Sequence, residues 1–328
     1  MKIKALVFTD VNKFEIKQLT LDEMRDDDIK VKTIISAISP GTERWILRGK
    51  HIGTKFPCVP GYHRIGIVEG VGKNVKKFKD GDIVYGYENR WKENIYRMWG
   101  AHVSYSIGNW KNYWFISSKM PDEFELETTI FTQLSAVATR GIRALEIKPN
   151  EKIIIIGSGF IGLCACQLSI YKNSIPVLID KDPERIAFGK KFTQFSFSID
   201  DKNLNEKLKE IAPTGFDHLY DTAGDPNTTD KLVQFIKYRG KILLQAQYFD
   251  KEKCAIDLDQ IKIREITIKT TVGIDTIDFY ETLDYIKKRI LTISDMITHK
   301  FTDNELIKGF EILRDGRPFN LGILFWWK

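Results

Sequence analysis

Residues 151–185 decide the fold, and they read EKIIIIGSGFIGLCACQLSIYKNSIPVLIDKDPER. The four consecutive isoleucines at 153–156 are typical of a parallel strand that is buried on both faces. Gly-Ser-Gly-Phe-Ile-Gly follows at 157–162, then a helix-forming run and a second apolar run that ends in Asp180. The order of strand, glycine-rich turn, helix and strand predicts a βαβ unit.

The three glycines of this turn have the spacing G-x-G-x-x-G, which is typical of a dinucleotide site when a strand precedes it. Gly157 permits the tight turn, Gly159 lets the backbone approach a pyrophosphate, and Gly162 lets the helix pack closely on the strand. The N-terminus of the helix offers N–H groups and a positive dipole end to phosphates. Asp180, eighteen residues after Gly162, is placed to accept both ribose hydroxyls of an adenosine. The stretch therefore predicts an NAD(H) site.

The composition is that of an ordinary globular enzyme. The chain has 328 residues, 43% of them hydrophobic and 29% charged, which suits two domains. Its apolar runs are far shorter than the ~20 residues of a membrane span, and its first residues lack the apolar segment of a signal peptide. The net charge of +6 is spread along the chain and forms no basic block for nucleic acid. The cysteines are too scattered for a disulfide framework, which indicates a reduced, cytoplasmic protein: Cys58, Cys164, Cys166 and Cys254.

The rest of the chain is β-rich first and mixed later. Small residues that include Ala223 and Gly224 follow one predicted strand, which places a loop at the carboxyl edge of the sheet, where an open α/β sheet binds its ligand. The predicted elements outside the βαβ unit are strands at 2–8, 14–19, 29–36 and 61–71, a hairpin at 75–84, helices at 127–145, strands at 216–224 and 240–244, helices at 278–289 and 303–314, and a strand at 321–327.

Several short segments, taken in order, resemble the medium-chain dehydrogenase/reductases, the superfamily of zinc alcohol dehydrogenases and quinone reductases. They are Gly61 to Gly66, the Gly-Asp-x-Val at 81–84, the glycine turn and the Ile-Thr-His-Lys-Phe at 297–301. The resemblance implies an α/β fold with a GroES-like β-barrel catalytic domain and a Rossmann nucleotide-binding domain, a doubly wound parallel sheet. It implies that the catalytic domain spans 1–136 and is completed by a return segment at 273–328, with the nucleotide-binding domain at 137–272.

The zinc positions of this family are the largest departure from it. Zinc members bind the catalytic metal with a Cys, a His and a further Cys or Glu. The matching positions here hold Pro40, Tyr62 and either Gln133 or Ser135. His63 takes the position of a conserved Glu, and no cysteine occurs at 86–118, where the family's structural zinc would lie. We therefore expect a branch without either metal.

Two further segments indicate which branch this is. Ser-x-Gly-Thr-Glu-Arg at 39–44 and Val-Pro-Gly-Tyr at 59–62 are similar to segments of bacteriochlorophyllide a dehydrogenase. The similarity rests on short motifs and carries no substrate over.

The residues that remain at the former metal site are the catalytic candidates. The resemblance implies that Thr42 begins a proton relay and that the Tyr62 hydroxyl lies where a metal ligand touched the substrate oxygen. We expect His63 to assist with a pKa near neutral pH, and Glu43 to orient the loop. The alternative is that Tyr62 and His63 only fill the vacated cavity. The remaining histidines are assigned no catalytic role: His51, His102, His218 and His299.

The resemblance also implies a set of cofactor contacts. Ile161 would lie behind the nicotinamide ring, Thr139 beside it, and Arg185 near the adenine ribose. Asp180 would favour NAD(H), while Lys181 leaves binding of NADP(H) open. The full expected set is Thr139, Gly157, Gly159, Phe160, Ile161, Gly162, Asp180, Arg185, Ala223 and Gly224.

These features predict a zinc-independent, NAD(H)-dependent oxidoreductase that acts on a carbonyl, an alcohol or an activated double bond. Two alternatives stay open: a non-catalytic NAD(H) sensor or scaffold, and a zinc enzyme with substitute ligands that include Glu43 and His63. All seven tryptophans lie outside the nucleotide-binding segment, which suits a bulky or aromatic substrate, although core packing explains most of them equally well. A homodimer is compatible with the sequence.

Overall fold

The computed structural model describes residues 1–249 and 256–328, which form two compact units. The first unit contains Met1–Phe131 and Ile293–Lys328, and the second contains Thr132–Thr292. Cys58, Cys164 and Cys166 are buried free thiols, and Cys254 lies outside the described residues. None of the helices within the described ranges has the length and apolar character needed to cross a membrane.

The first unit consists mainly of strands. They are β1 (Lys2–Asp10), β2 (Lys13–Thr20), β3 (Asp28–Ala37), β4 (Cys58–Val59), β5 (His63–Val71), β6 (Ile83–Gly86), β7 (Tyr96–Arg97), β8 (Tyr105–Asn109), β9 (Tyr113–Ser117), β16 (Ile297–Thr302) and β17 (Gly322–Trp326). Its α-helices are α1 (Pro40–Leu47), α2 (Glu123–Thr129) and α10 (Leu306–Asp315).

These strands form a four-stranded sheet, β2-β1-β4-β7, and a seven-stranded sheet in which β16-β17-β3-β5-β6-β9 run side by side and β8 also pairs with β3. Helix α10 packs its apolar face on the second sheet, where Phe310 stacks on Phe325 at 5.9 Å. Position 309, next to these rings, requires glycine, because a Cβ there would collide with the Phe325 ring. The return segment thus completes the core of the first unit.

The end of β3 and the start of β5 position the first set of candidate residues. Ala37 pairs with His63 in the antiparallel register. Helix α1 begins three residues after the end of β3, with Ser39 as its N-cap residue and Pro40 at its first turn, where the missing N–H of proline is harmless. Residues 39–43 and 62–63 therefore lie at the same end of two paired strands.

The second unit alternates strands and helices. Its strands are β10 (Lys152–Ile156), β11 (Ile175–Asp180), β12 (Ser196–Ser198), β13 (Phe216–Asp221), β14 (Ile236–Leu244) and β15 (Thr267–Thr270). Its α-helices are α3 (Thr132–Leu145), α4 (Phe160–Tyr171), α5 (Pro183–Gly189), α6 (Leu204–Ile211), α7 (Pro226–Val233), α8 (Leu258–Ile263) and α9 (Thr276–Lys287).

The six strands form a parallel sheet in the order β12-β11-β10-β13-β14-β15, which is the doubly wound order of a Rossmann fold. The isoleucine run of β10 is buried on both faces, as predicted. The chain order places β10 and β13 side by side, so the loops after them meet at the carboxyl edge. The predicted fold class, a GroES-like domain with a Rossmann domain, is confirmed.

Two boundaries differ from the sequence prediction. The helical stretch at 127–145 is divided into α2 and α3, because the Ile130 carbonyl accepts a hydrogen bond from the Tyr85 hydroxyl at 3.0 Å instead of continuing a helix. Residues 276–287 pack in the second unit and not in the return segment, which begins at Ile293. The reason is a set of side-chain contacts from α3 to α9, including an ion pair of Arg143 with Asp278.

Candidate active site

The glycine turn has the geometry of a phosphate cradle. Gly157 has φ of +97°, a conformation that L side chains rarely adopt, and a Cβ on Gly162 would collide with the carbonyl oxygen of Gly157. Around Gly159 the nearest atom to an added Cβ is the Arg185 guanidinium, at 3.5 Å. Helix α4 starts there with no side-chain cap on its N-terminus. The backbone is therefore open to an anion at this position, and these residues fit a dinucleotide pyrophosphate.

Asp180, at the tip of β11, is already held by three backbone N–H groups. Its Oδ2 accepts from Ser158 at 2.7 Å, and its Oδ1 accepts from Lys181 at 2.7 Å and from Asp182 at 2.9 Å. A carboxylate has about four acceptor sites, so one is left for a ribose hydroxyl. The sequence had suggested that both ribose hydroxyls would be accepted.

The loop after β13 lies against the glycine turn. A Cβ on Gly157 would be 2.9 Å from the Thr222 hydroxyl and 3.2 Å from the Ala223 methyl group. The loop is held by the buried carboxylate of Asp221, whose Oδ1 accepts from the N–H groups of Ala223 and Gly224 at 2.8 and 2.9 Å. Burial raises the pKa of Asp221, although these donors oppose the shift. Ala223 and Gly224, the small residues after β13, thus lie beside the cradle.

Three other expected cofactor residues have different surroundings. Phe160 is buried at the start of α4, and Ile161, next to it, is half-buried. Thr139 is 3% exposed, and its hydroxyl lies 2.6 Å from that of Thr282 on α9. The Thr282 hydroxyl donates to the Asp278 carbonyl at 2.7 Å, so Thr139 donates to Thr282, and a hydrogen bond from Thr139 to a nicotinamide requires this contact to open.

Tyr62 in the first unit is held by two hydroxyl groups. Its Oη lies 2.5 Å from Ser39 Oγ, and the Thr42 hydroxyl also hydrogen-bonds to it. Burial raises the pKa of Tyr62 to about 12, while these two bonds oppose the shift. Tyr62 is therefore a protonated phenol at neutral pH. When Ser39 and Thr42 both donate to its oxygen, its own hydrogen remains for another acceptor.

His63 is fully buried and points its Nδ1 at the Tyr85 hydroxyl, 2.6 Å away. Its Nε2 is buried without a hydrogen-bond partner within the described part of the chain. Burial, aided by the nearby His102, lowers the pKa of His63 well below its ordinary value of 6.5. The imidazole is thus neutral at pH 7, and the expectation that it titrates near neutral pH is wrong.

Glu43 lies in the protein interior, with a fully buried side chain. Its Oε1 accepts from the Ser39 N–H at 2.8 Å and its Oε2 lies 3.0 Å from His102 Nε2. Both carboxylate oxygens are thus engaged in holding the loop that carries Ser39. This geometry suits the orienting role that the sequence suggested for Glu43.

The residues at the zinc positions, Pro40, Tyr62 and either Gln133 or Ser135, lack the thiolate, imidazole and carboxylate groups that a tetrahedral zinc site uses. Pro40 offers no donor atom, and the Tyr62 hydroxyl is paired with two other hydroxyls. Ser135 Oγ is a contact of Cys164 Sγ at 3.6 Å. Among the described residues, no group of three or more His, Cys, Asp or Glu side chains is arranged to hold a metal ion. The substitute set of Glu43 and His63 is not part of such a group, and each Glu43 oxygen is already engaged in holding the protein interior.

Two residues near Tyr62 were not predicted from the sequence: Trp99, which contacts Tyr62, and His102, which contacts Glu43. Trp99 has φ of +75°, a rare conformation for a bulky side chain, and its ring lies 5.4 Å from that of Tyr62 and 5.5 Å from that of His51. His102 is buried against Glu43. No local pattern marks either residue, since their partners are distant in sequence.

Comparisons with known proteins identify the class. Residues 25–121 match the family model of the alcohol dehydrogenase GroES-like domain, and residues 161–288 match that of the zinc-binding dehydrogenase. The chain belongs to the medium-chain, zinc-type alcohol dehydrogenase superfamily and is an oxidoreductase of that type.

Individual relatives are distant but cover the whole chain. L-threonine 3-dehydrogenase of Vibrio cholerae is 24% identical over 96% of this chain and 97% of its own. Benzyl alcohol dehydrogenase from Acinetobacter calcoaceticus has a similar structure, with a TM-score of 0.86, 18% identity and full coverage of both chains. An alcohol dehydrogenase from Escherichia coli CFT073, solved with the cofactor NADH, has a TM-score of 0.84, with 18% identity and 99% coverage of both chains.

Proposed function

We propose that this protein is an NAD(H)-dependent oxidoreductase that interconverts a carbonyl and an alcohol, or reduces an activated double bond, without zinc. The observation that carries the proposal is the Tyr62 hydroxyl, which stands at the sequence position of a metal ligand and is held by Ser39 and Thr42. Hydride transfer to a carbonyl builds negative charge on its oxygen. Zinc stabilises that charge in other members, and a fixed phenol can do so here through its O–H.

The side chains of the first unit then have distinct tasks. The nicotinamide, when bound, supplies or takes up the hydride. Tyr62 donates its hydrogen to the substrate oxygen, and because an alkoxide is a stronger base than a phenolate, the proton can pass to the product. Thr42, which is half-buried, is the hydroxyl through which the phenol regains a proton. The Nε2 of His63 supplies a neutral acceptor, and Glu43 fixes the loop.

The cofactor proposal is NAD(H), bound at the glycine cradle of the second unit. The Asp180 carboxylate keeps one acceptor site for a ribose hydroxyl and would repel a 2′-phosphate. Lys181, next to Asp180, and Arg185, in the first turn of α5, are the neighbouring cations, and they would weaken that repulsion without reversing it. Ala223 and Gly224 are proposed to line the cradle, since the Ala223 methyl group lies against Gly157.

The proposed substrate is bulky or aromatic. The ring of Trp99 packs edge-on to Tyr62, and its strained backbone conformation is of the kind found at ligand sites. Trp45 is three residues after Thr42 on α1, so both side chains lie on one face of the helix. Lys50 lies over the Trp45 ring at 5.6 Å. These aromatic faces suit a flat, apolar substrate group.

We also infer that the chain belongs to the zinc-lacking branch that resembles bacteriochlorophyllide a dehydrogenase. The segments at 39–44 and 59–62 support this, because they carry both the residues shared with that protein and the Tyr62 contacts. A substrate is not implied by the similarity.

A homodimer through the second unit completes the proposal. Within the described residues, β15 is the last strand of its sheet, so its outer edge offers unpaired backbone groups. Apolar side chains on or near this edge are exposed, including Ile268 at 41% and Val272 at 89%. Light scattering should give twice the chain mass for the native protein, and V272D should shift it toward the mass of one chain. A native protein that stays monomeric at high concentration would contradict the dimer.

One assay tests the reaction. Benzaldehyde, butane-2,3-dione and their alcohols are incubated with NADH or NAD, and the change in NADH absorbance is followed before and after dialysis against a chelator. We expect turnover of at least one probe that survives chelation. Activity that is abolished by chelation and restored by Zn²⁺ would contradict the zinc-independent proposal. If NADH binds but no carbonyl is reduced, the result would instead favour a non-catalytic NAD(H) sensor.

A further inference from the structure

We propose that His102 is a positioning residue that holds Tyr62 in its working orientation from two sides. One side is the backbone immediately before Tyr62, and the other is the Glu43 carboxylate. The inference rests on the proposed function, in which Tyr62 is the hydrogen-bond donor to the substrate oxygen.

The first contact is between the imidazole and Gly61. Gly61 has φ of +93°, and a Cβ at this position would lie 2.5 Å from the Nε2 and Cδ2 atoms of His102. The ring therefore packs directly on the Gly61 backbone. Ala101, next to His102, donates its N–H to the carbonyl of Gly61 at 2.8 Å. The backbone on both sides of this contact is thereby fixed, and Tyr62 is the next residue.

The second contact runs through Glu43 to the Tyr62 hydroxyl. His102 Nε2 lies 3.0 Å from Glu43 Oε2, and the other oxygen of Glu43 accepts from the Ser39 N–H at 2.8 Å. Ser39 Oγ in turn lies 2.5 Å from Tyr62 Oη. Three consecutive hydrogen bonds therefore connect His102 to the phenol.

The other ring nitrogen of His102 is held from the opposite direction. Its Nδ1 lies 3.1 Å from Ser36 Oγ, which accepts the indole N–H of Trp327 at 2.9 Å. The Glu43 carboxylate can only accept from Nε2, so in the neutral ring Nδ1 accepts the hydroxyl hydrogen of Ser36. The remaining ring hydrogen is then on Nε2 and points at Glu43. With this tautomer every hydrogen in the series of hydrogen bonds has an acceptor, and the series reaches Trp327 after β17.

Burial makes the arrangement rigid. The side chains of His102 and Glu43 are both 0% exposed. The His102 ring also packs edge-on to Phe310 and Phe325, at 5.1 and 5.9 Å. A buried carboxylate that loses its partner is strongly unfavourable, so removing the imidazole should displace Glu43 and with it Ser39. A displacement of about 1 Å at a reacting group can lower a rate by about 10²-fold.

The chain offers a matched control in its second unit. His218 is also buried, at 3%, and its Nε2 lies 2.7 Å from Glu151. The test compares H102L with H218L, each of which removes a buried imidazole from a carboxylate; Glu43 is 0% exposed and Glu151 is 24% exposed. H102Q is the conservative variant, because its amide nitrogen can replace Nε2 as the donor to Glu43. The readout is the ¹³Cζ resonance of Tyr62 in tyrosine-labelled protein, identified as the peak that Y62F lacks.

We expect H102L to shift the Tyr62 resonance and H102Q and H218L to leave it in place. Should H102L fail to fold, E43Q serves instead: its amide N–H₂ faces His102, so the ring should change to the Nδ1–H tautomer in ¹⁵N spectra. An unshifted Tyr62 resonance in folded H102L, or an unchanged His102 tautomer in E43Q, would overturn the inference.

A rate comparison separates this inference from the proposed function. With NADH and benzaldehyde, H102L should lower turnover by about 10- to 100-fold in the native background and add little in the Y62F background. An equal loss in both backgrounds means that His102 does not act through Tyr62. Full turnover by Y62F would instead refute the proposed function, while the Tyr62 resonance still reports on His102.

Discussion

The Nδ1 atom of His63 donates its hydrogen to the Tyr85 hydroxyl, which lies 2.6 Å away. The direction follows from a second contact, because the Tyr85 hydroxyl gives its own hydrogen to the Ile130 carbonyl at 3.0 Å. His63 is consequently the Nδ1–H tautomer, and its Nε2 carries a lone pair. That lone pair is the buried acceptor for which the described residues supply no donor.

The first prediction concerns this lone pair. In H63N the amide N–H₂ can replace Nδ1 as the donor to Tyr85, while nothing replaces Nε2. If the lone pair accepts a hydrogen bond from substrate or from a bound water, turnover should fall by about 10-fold, in line with one lost hydrogen bond of about 1–1.5 kcal/mol. The ¹⁵N spectrum of the native protein should show His63 protonated at Nδ1. Unchanged turnover in H63N would mean that His63 only fills the cavity.

The second prediction is a loss of stability in mild acid. Burial lowers the pKa of His63 below 6.5, so under about pH 6.5 the unfolded chain binds a proton that the folded chain does not. The free energy of unfolding should then fall by up to about 1.4 kcal/mol per pH unit for this group. Urea unfolding at a series of pH values tests this, and H63N should show the shallower decline. His218, whose pKa is also lowered by burial, should contribute in the same direction, so H63N should retain part of the slope.

At alkaline pH the dependence of stability on pH involves Tyr62. Its pKa is raised to about 12, so its contribution to stability is complete below about pH 10 and is lost as the pH rises toward 12. For the same reason a proton donor at this site should stay active throughout the neutral and mildly alkaline range. A rate that declines with an apparent pKa near 7 would point to another group.

The third prediction concerns the choice of cofactor. A 2′-phosphate close to Asp180 meets a like charge, which is unfavourable by about 1–4 kcal/mol at contact distance near a protein surface. NADH should therefore bind at least about 10-fold more tightly than NADPH. D180N keeps an oxygen acceptor and removes the negative charge, so it should reduce the ratio of the NADPH to the NADH dissociation constant. Asp182 caps α5 two residues later, and D182N is the matched control that should leave the ratio unchanged. Calorimetry with NADH and with NADPH measures both dissociation constants. Tighter binding of NADPH by the native protein would refute the role of Asp180.

The second unit was predictable from the sequence because its signals are local. A run of four isoleucines, a glycine turn and Asp180 are contiguous, and each has one dominant physical use. That α9 packs in the second unit was not predictable, because it depends on contacts such as that of Thr139 with Thr282, two residues that are distant in sequence. Tyr62 could be selected from a motif, but its pKa and its partner Ser39 follow from burial and strand register.

The buried polar groups of the first unit were the least predictable part. His102 stands in the sequence between Ala101 and Val103 with no charged neighbour, yet it packs on Gly61 and pairs with Glu43. Those partners come together only through the pairing of strands that are far apart in the chain. Trp99 gives no warning either, because φ above zero is typical of Gly and Asn and unusual for Trp.

The last prediction tests the phenol itself. Y62F removes one oxygen and leaves the ring that packs on Trp99 and His63. The substrate oxygen then loses the donor that would stabilise its negative charge, and turnover should fall by about 10²–10³-fold. Binding of NADH should be unaffected, because the cofactor cradle lies in the other compact unit. Y96F is the control, since Tyr96 is 43% exposed in the same unit and should keep full activity. If Y62F turns over benzaldehyde or any other accepted probe at the native rate, the charge on oxygen is stabilised by another group, and the phenol has only replaced the volume of the lost metal site.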